Sequence, residues 1–101
     1  MEQILHSADF RACLHTPFEL ASPTGERVPL ELAQVQEAIN TARIESFSLF
    51  FRGPLTPVYP QAIYRLQHEN LGPVEIFLVP VGPDGDAMQY EAVFNRFRNG
   101  Q

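Results

Sequence analysis

The sequence predicts a mainly β fold, a small antiparallel barrel or roll of about six strands with a short N-terminal helix. Three observations carry this prediction. Residues 44–52 alternate, with Phe47, Leu49 and Phe51 on one face and Ser46, Ser48 and Arg52 on the other. Phe50 interrupts the polar face of that strand. Similar runs recur at 61–69, 74–81 and 88–95 with turn residues between them. Eight Phe and three Tyr, with no Trp, supply a core of aromatic rings between sheet faces. At 101 residues the chain has room for one modest core, so residues 1–101 are read as a single β-rich domain.

The elements follow in order. Residues 7–14 read as a short helix, with Ser7 as the cap and Asp9 near the positive end of the helix dipole. Phe10, Cys13 and Leu14 recur at helical spacing and face the sheet, and Pro17 stops the helix. A short strand runs from Phe18 to Ala21, with Phe18 and Leu20 inward, and 22–25 form a turn. Residues 28–37 begin as a strand with Val28, Leu30 and Leu32 on one face. At Ala33 the phase slips and Val35 takes over the apolar face, which predicts a β-bulge. Pro29 sits near the strand start, where a missing amide is tolerated at an edge. Residues 36–43 are ambiguous, since Ala38, Ile39 and Ala42 permit a helical turn.

Strand 44–52 comes next, then a proline-rich loop over 53–60 that is extended and stiff. In strand 61–69, Ala62, Tyr64, Leu66 and His68 share a face, and 70–73 are a turn. Strand 74–81 is apolar on both faces from Ile76 to Val79, as in a strand covered on both sides. Residues 82–86 form a hairpin loop. In the last strand Met88, Tyr90, Ala92 and Phe94 point one way, and the tail frays from Arg96.

Composition narrows the function classes. The net charge is −5 and there is no Lys, so the Lys and Arg needed to displace phosphate counterions are missing and no nucleic-acid partner is expected. Arg96 and Arg98 close the chain with no basic stripe behind them. Cys13 is the single cysteine, cannot form an internal disulfide, and reads as a small buried side chain. No apolar run approaches the roughly 20 residues of a membrane-spanning helix, so no membrane partner is expected. The N-terminus carries Glu2 rather than a basic region, so a soluble cytoplasmic protein is the expectation.

The chain resembles a family of short bacterial all-β domains of unknown function. The resemblance rests on Ala8-Asp9-Phe10, Leu30-Glu31-Leu32, residues 47–54, and Pro60-Gln61 with Tyr64, Leu66 and His68. It continues through Leu71-Gly72, residues 77–81 and residues 90–95. Ala62 departs from a small, Gly-like position of the pattern. The resemblance implies an irregular connection over 36–43, no established activity, and an association with phage-tail-like proteins.

No residue set signals catalysis, a cofactor or a metal. His68 and Glu69 point to opposite faces of a strand, so they cannot act as an acid–base pair, and His68 reads as a buried, hydrogen-bonded histidine. His6, His15 and His68 lack metal-ligand spacing. Ser46 and Ser48 lack the Gly-x-Ser-x-Gly setting of a nucleophile elbow. Asp84 and Asp86 lack the further ligands of a calcium loop. Arg52, Gln61, Arg65, Glu75 and Glu91 form a polar constellation, with Arg65, Glu75 and Glu91 on three successive strands. Cross-strand charge pairing on a solvent face is the ordinary account of it, and a patch that grips a partner or ligand is the sharper alternative.

The expected function is therefore a non-enzymatic protein-interaction or assembly domain, its partner another protein or a second copy. Phe50, Arg52, Val58, Tyr59, Gln61, Arg65, Glu75 and Glu91 are the candidate contact residues. The alternative is a small-ligand binder with a polar mouth near Arg52, Tyr64 and His68.

Overall fold

The computed structural model describes residues 5–97. A short helix, α1 (Ser7–Arg11), precedes six strands: β1 (Pro17–Ala21), β2 (Arg27–Asn40), β3 (Ile44–Gly53), β4 (Ala62–His68), β5 (Gly72–Asp84) and β6 (Ala87–Phe97). The strands form one antiparallel sheet in the order β1-β2-β3-β6-β5-β4, which closes into a barrel through β1 and β4. Closure removes most sheet edges and encloses the inward half of every alternating strand. Phe18 and Leu20 of β1, Leu30 and Leu32 of β2, Phe47, Leu49 and Phe51 of β3, and Leu66 of β4 are all buried.

The bulge predicted at Ala33 is present as a register shift between Leu32 and Gln34. It lets Val28, Leu30 and Leu32 face inward before the slip and Val35 pack half-buried after it. Pro29 lies ahead of Glu31, where pairing with β3 begins, so its missing amide removes nothing from that ladder. The two-residue turn of the β5–β6 hairpin is Gly85-Asp86, closed by the Asp84–Ala87 pair. Gly85 has φ +65°, which the first central residue of such a turn requires. Gly53 answers a different need: a Cβ there would lie 2.5 Å from Leu30 Cδ2, inside a filled core.

Four expectations are corrected. The helix ends at Arg11 and is capped by His6, not Ser7. Asp9 Oδ2 accepts the His6 amide at 2.8 Å, while the Ser7 amide is taken by Glu45. Cys13 and Leu14 continue in tight turns and still face the core. Residues 36–40 are neither helical nor an irregular connection but strand, with a second register shift between Glu37 and Ile39. They extend β2 to Asn40, paired with the start of β3, because a neighbouring strand satisfies their backbone despite their exposed, unpatterned side chains. β5 is longer than 74–81 and is covered on one side only: Ile76 and Leu78 are buried, whereas Phe77 is 49 % exposed. Arg96 and Phe97 do not fray but remain in β6, paired with β3; Glu2 and Arg98 lie outside the described residues.

The two mouths of the barrel differ in kind. One carries the 22–26 turn, the loop over 54–61 and the β5–β6 hairpin, and its interior holds Tyr59, Tyr64 and Tyr90. The other carries the β2–β3 hairpin and the turn after β4. There α1 lays Phe10 within 6.4 Å of the rings of Phe18, Phe47 and Phe94. Phe47 and Phe94 stack at 4.8 Å between centroids. The β5–β6 ladder runs from the tyrosine mouth as far as the Val79–Glu91 pair and stops.

Candidate functional site: an open seam at the phenylalanine mouth

Beyond Val79 and Glu91 the strands β5 and β6 separate. Among the described residues, 72–78 pair with β4 alone and 92–97 with β3 alone. A cleft of about 460 Å³ lies there, walled by Val74 and Glu75 of β5 and by Phe94 and Arg96 of β6, with Leu5 and Phe10 also lining it. The Arg96 guanidinium sits over Phe47 and Phe94, 5.8 and 5.5 Å from their ring centres. Such cation–π placement fixes a charge on an aromatic surface without neutralising it. Arg65 of β4 reaches the same cleft.

Glu45 sits beside this mouth and is fully buried. Its Oε1 is 2.7 Å from His6 Nδ1 and its Oε2 accepts the Ser7 amide at 3.0 Å. The carboxylate thereby ties the start of α1 to β3, as a buried charge requires partners to be tolerated. The sequence signal for Glu45 is its phase: it alternates with Phe47, Leu49 and Phe51 and so points inward.

His68 is buried and hydrogen-bonded, as expected. Its Nδ1 accepts the amides of Asn70 at 3.0 Å and Leu71 at 3.3 Å, which assigns the ring proton to Nε2. Nε2–H donates to Thr16 Oγ1 at 2.8 Å, and the Thr16 hydroxyl donates to the Cys13 carbonyl. Burial holds the imidazole below its ordinary pKa, opposed by the Glu69 carboxylate. The Cys13 thiol is buried 4.0 Å from His68 Nδ1, and burial, with Asp9 adding to it, pushes its pKa up.

The residues of the expected ligand mouth do not converge. Tyr64 lies at the tyrosine mouth, where its hydroxyl donates to the Pro60 carbonyl and burial, then Tyr90 and Tyr59, push its pKa up. His68 belongs to the opposite mouth, four positions along the same strand. Arg52 is on the outer face of β3, separated from β4 by two strands in either direction round the barrel, and binds Asp84 at 2.7 Å and Asp86 at 3.2 Å.

The expected contact residues scatter likewise. Tyr59 is buried, with its amide donating to the Tyr90 hydroxyl at 3.0 Å, so it is a core residue and not a contact. Phe50 is half-buried between Gln34 and Glu91. Val58 and Gln61 are exposed on the loop over the tyrosine mouth. Arg65 and Glu75 are register partners, but Glu91 stands opposite Val79, four positions along β5 from Glu75. What the sequence missed is an outer apolar surface nearby: Ile63, 70 % exposed, is the register partner of Phe77, and Val93 is exposed on the outer face of β6.

Among the described residues no group of three or more His, Cys, Asp or Glu side chains gathers as a metal site, and no helix is long and apolar enough to cross a membrane. No curated protein and no solved structure matches the chain. A family model does, over residues 5–94, from the described start of the chain through the Phe94 that walls the seam, and the chain therefore belongs to the DUF6916 family, a domain of unknown function.

Proposed function

We propose that this is a non-enzymatic protein-interaction or assembly domain. One observation carries the reading. The strand that is apolar on both faces is covered on only one of them, which leaves Phe77 and its partner Ile63 exposed on the outer sheet. Strands of this composition are ordinarily buried on both sides. Contiguous exposed apolar surface rimmed by charge, here Arg65 and Glu75, is a hallmark of surfaces that receive another protein. A second exposed pair, Ile44 and Phe97, extends the apolar character to the phenylalanine mouth. The association with phage-tail-like proteins that the resemblance implies fits an assembly role of this kind.

The test uses affinity capture with wild type beside Phe77→Glu and Ile63→Glu, together with sedimentation of each protein alone. The expected result is a specific partner, or a self-associated species, that the folded Glu variants lose. A wild-type chain that stays monomeric and retains the same proteins as its Glu variants would refute the reading.

A further inference from the structure

The open seam has features that a plain apolar patch lacks. Two strand edges present backbone groups without ladder partners among the described residues, along 72–78 of β5 and 92–97 of β6. Backbone amides and carbonyls at an edge are satisfied most completely by another extended chain, and strand addition is a recurrent mode of peptide recognition. The cleft between the edges has an apolar lining from Leu5, Phe10 and Phe94. It is also cationic. Arg65 and Arg96 line it, Glu75 is the carboxylate among the described residues that does so, and neither guanidinium forms an ion pair with a described carboxylate. On a chain of net charge −5 that is a local inversion of sign.

We infer that the seam takes an extended segment of a partner protein, added as a strand along residues 92–97 of β6. Phe94 and Arg96 share the inner face of β6 and Arg65 lies on the outer face of β4, so the segment's inward side chains are apolar beside Leu5 and Phe94 and acidic beside Arg96, and its outward side chains are acidic toward Arg65. The inference rests on the protein-interaction reading and adds the chemistry of what is bound. A small anion would meet the arginines but leave the edges open. The β6 edge of a second copy would bring a second Arg96 into the cleft, a like-charge contact that disfavours self-pairing.

The probe is a fluorescein-labelled hexapeptide with two leucines and a glutamate on one strand face and glutamates on the other. Two controls accompany it: the same peptide with lysine for glutamate, and the glutamate peptide N-methylated at alternate positions. Binding is followed by anisotropy, and amide hydrogen exchange is followed along β6. The expected result is saturable binding of the glutamate peptide and slowed exchange at 92–97. Affinity falls by at least about 10-fold in both control peptides and in Arg65→Ala and Arg96→Ala. The Arg65 variant guards against a stability effect of losing the Arg96–Phe94 contact.

Equal binding of all three peptides would overturn the inference, and so would no binding up to about 1 mM. Inorganic sulfate alone slowing the same amides equally would also overturn it, as would a concentration-dependent dimer abolished by Arg96→Glu. Failure here with partner capture still sensitive to Phe77→Glu removes the seam and leaves the outer-face reading. Peptide binding with no captured partner does the reverse.

Discussion

The tyrosine mouth and the phenylalanine mouth close the same barrel with different chemistry. At the first, a chain segment folds over the opening and is fastened by two phenols: Tyr90 accepts the Tyr59 amide and Tyr64 donates to the Pro60 carbonyl. The β5–β6 ladder is paired there, with one register shift between Pro80 and Gly82. At the second, a helix of five residues plugs the opening with one phenylalanine and a buried Glu45 clamp, and the ladder is open. Hydrogen bonds fix geometry, whereas ring packing is less directional. The mouth fastened by phenols is therefore expected to open less readily, and under the seam inference the mouth with the open ladder is where a strand enters.

Removing the plug is the most damaging way to break this comparison. Phe10 is fully buried against three rings. Phe10→Ala should cost about 3–5 kcal/mol in urea unfolding. Native-state hydrogen exchange should show the loss locally first, with faster amides at 34–40 and 92–97 and little change in β1 and β4. Uniform acceleration through all six strands would mean the two mouths form one cooperative unit.

The matching change at the other mouth is smaller. Tyr90→Phe keeps the ring and removes the acceptor of the buried Tyr59 amide. An orphaned buried amide costs about 1–3 kcal/mol, so the denaturation midpoint should fall by the corresponding amount. Exchange should rise at Tyr59 and its loop and stay unchanged along the seam. A neutral substitution would show that water replaces the phenol and that this mouth is looser than its hydrogen bonds suggest.

Most of the barrel is legible in the sequence, for a physical reason. Alternation at Phe47-Leu49-Phe51 and at Tyr64-Leu66-His68 records a sheet with one dry side, and the slip at Ala33 records its bulge. The second half of β2 is not legible, because residues 36–40 are all exposed and have no period to read; their strand character comes from the partner ladder. Phe77 misleads for the opposite reason: hydrophobicity says that a side chain is to be covered, not which chain covers it. Neither seam nor phenol fastening could be read, since both depend on which strands meet and where they part. The inward Glu45 and the outward Ile63 and Val93 follow from strand phase alone.

A third test concerns pH. Nδ1 of His68 faces two amide donors and cannot take a proton without losing both. Above the ordinary histidine value of 6.5 the ring is neutral in folded and unfolded chains, and its contribution is fully present. As pH falls through that value the unfolded chain binds a proton that the folded chain refuses. Stability then declines until pH reaches the lower folded value. Urea midpoints should therefore drop between about pH 8 and about pH 5, and His68→Gln should flatten that part of the profile. An unchanged slope in His68→Gln would assign the loss to carboxylates instead.

The smallest effect is expected at Arg52, which the sequence placed in both functional readings. Its guanidinium bridges Asp84 and Asp86 beside the β5–β6 hairpin, on the outside of the tyrosine mouth, and Asp86 is almost wholly exposed. Exposed pairs of this kind contribute less than about 1 kcal/mol, so Arg52→Ala should barely shift the urea midpoint. Its value lies in the contrast with Arg96, a cation of the same type that packs on rings at the open mouth. Under the seam inference Arg52→Ala leaves binding of the glutamate peptide intact while Arg96→Ala weakens it. Equal weakening by both substitutions, with both proteins stable, would mean that the peptide responds to surface charge in general. The open ladder would then have no part in recognition.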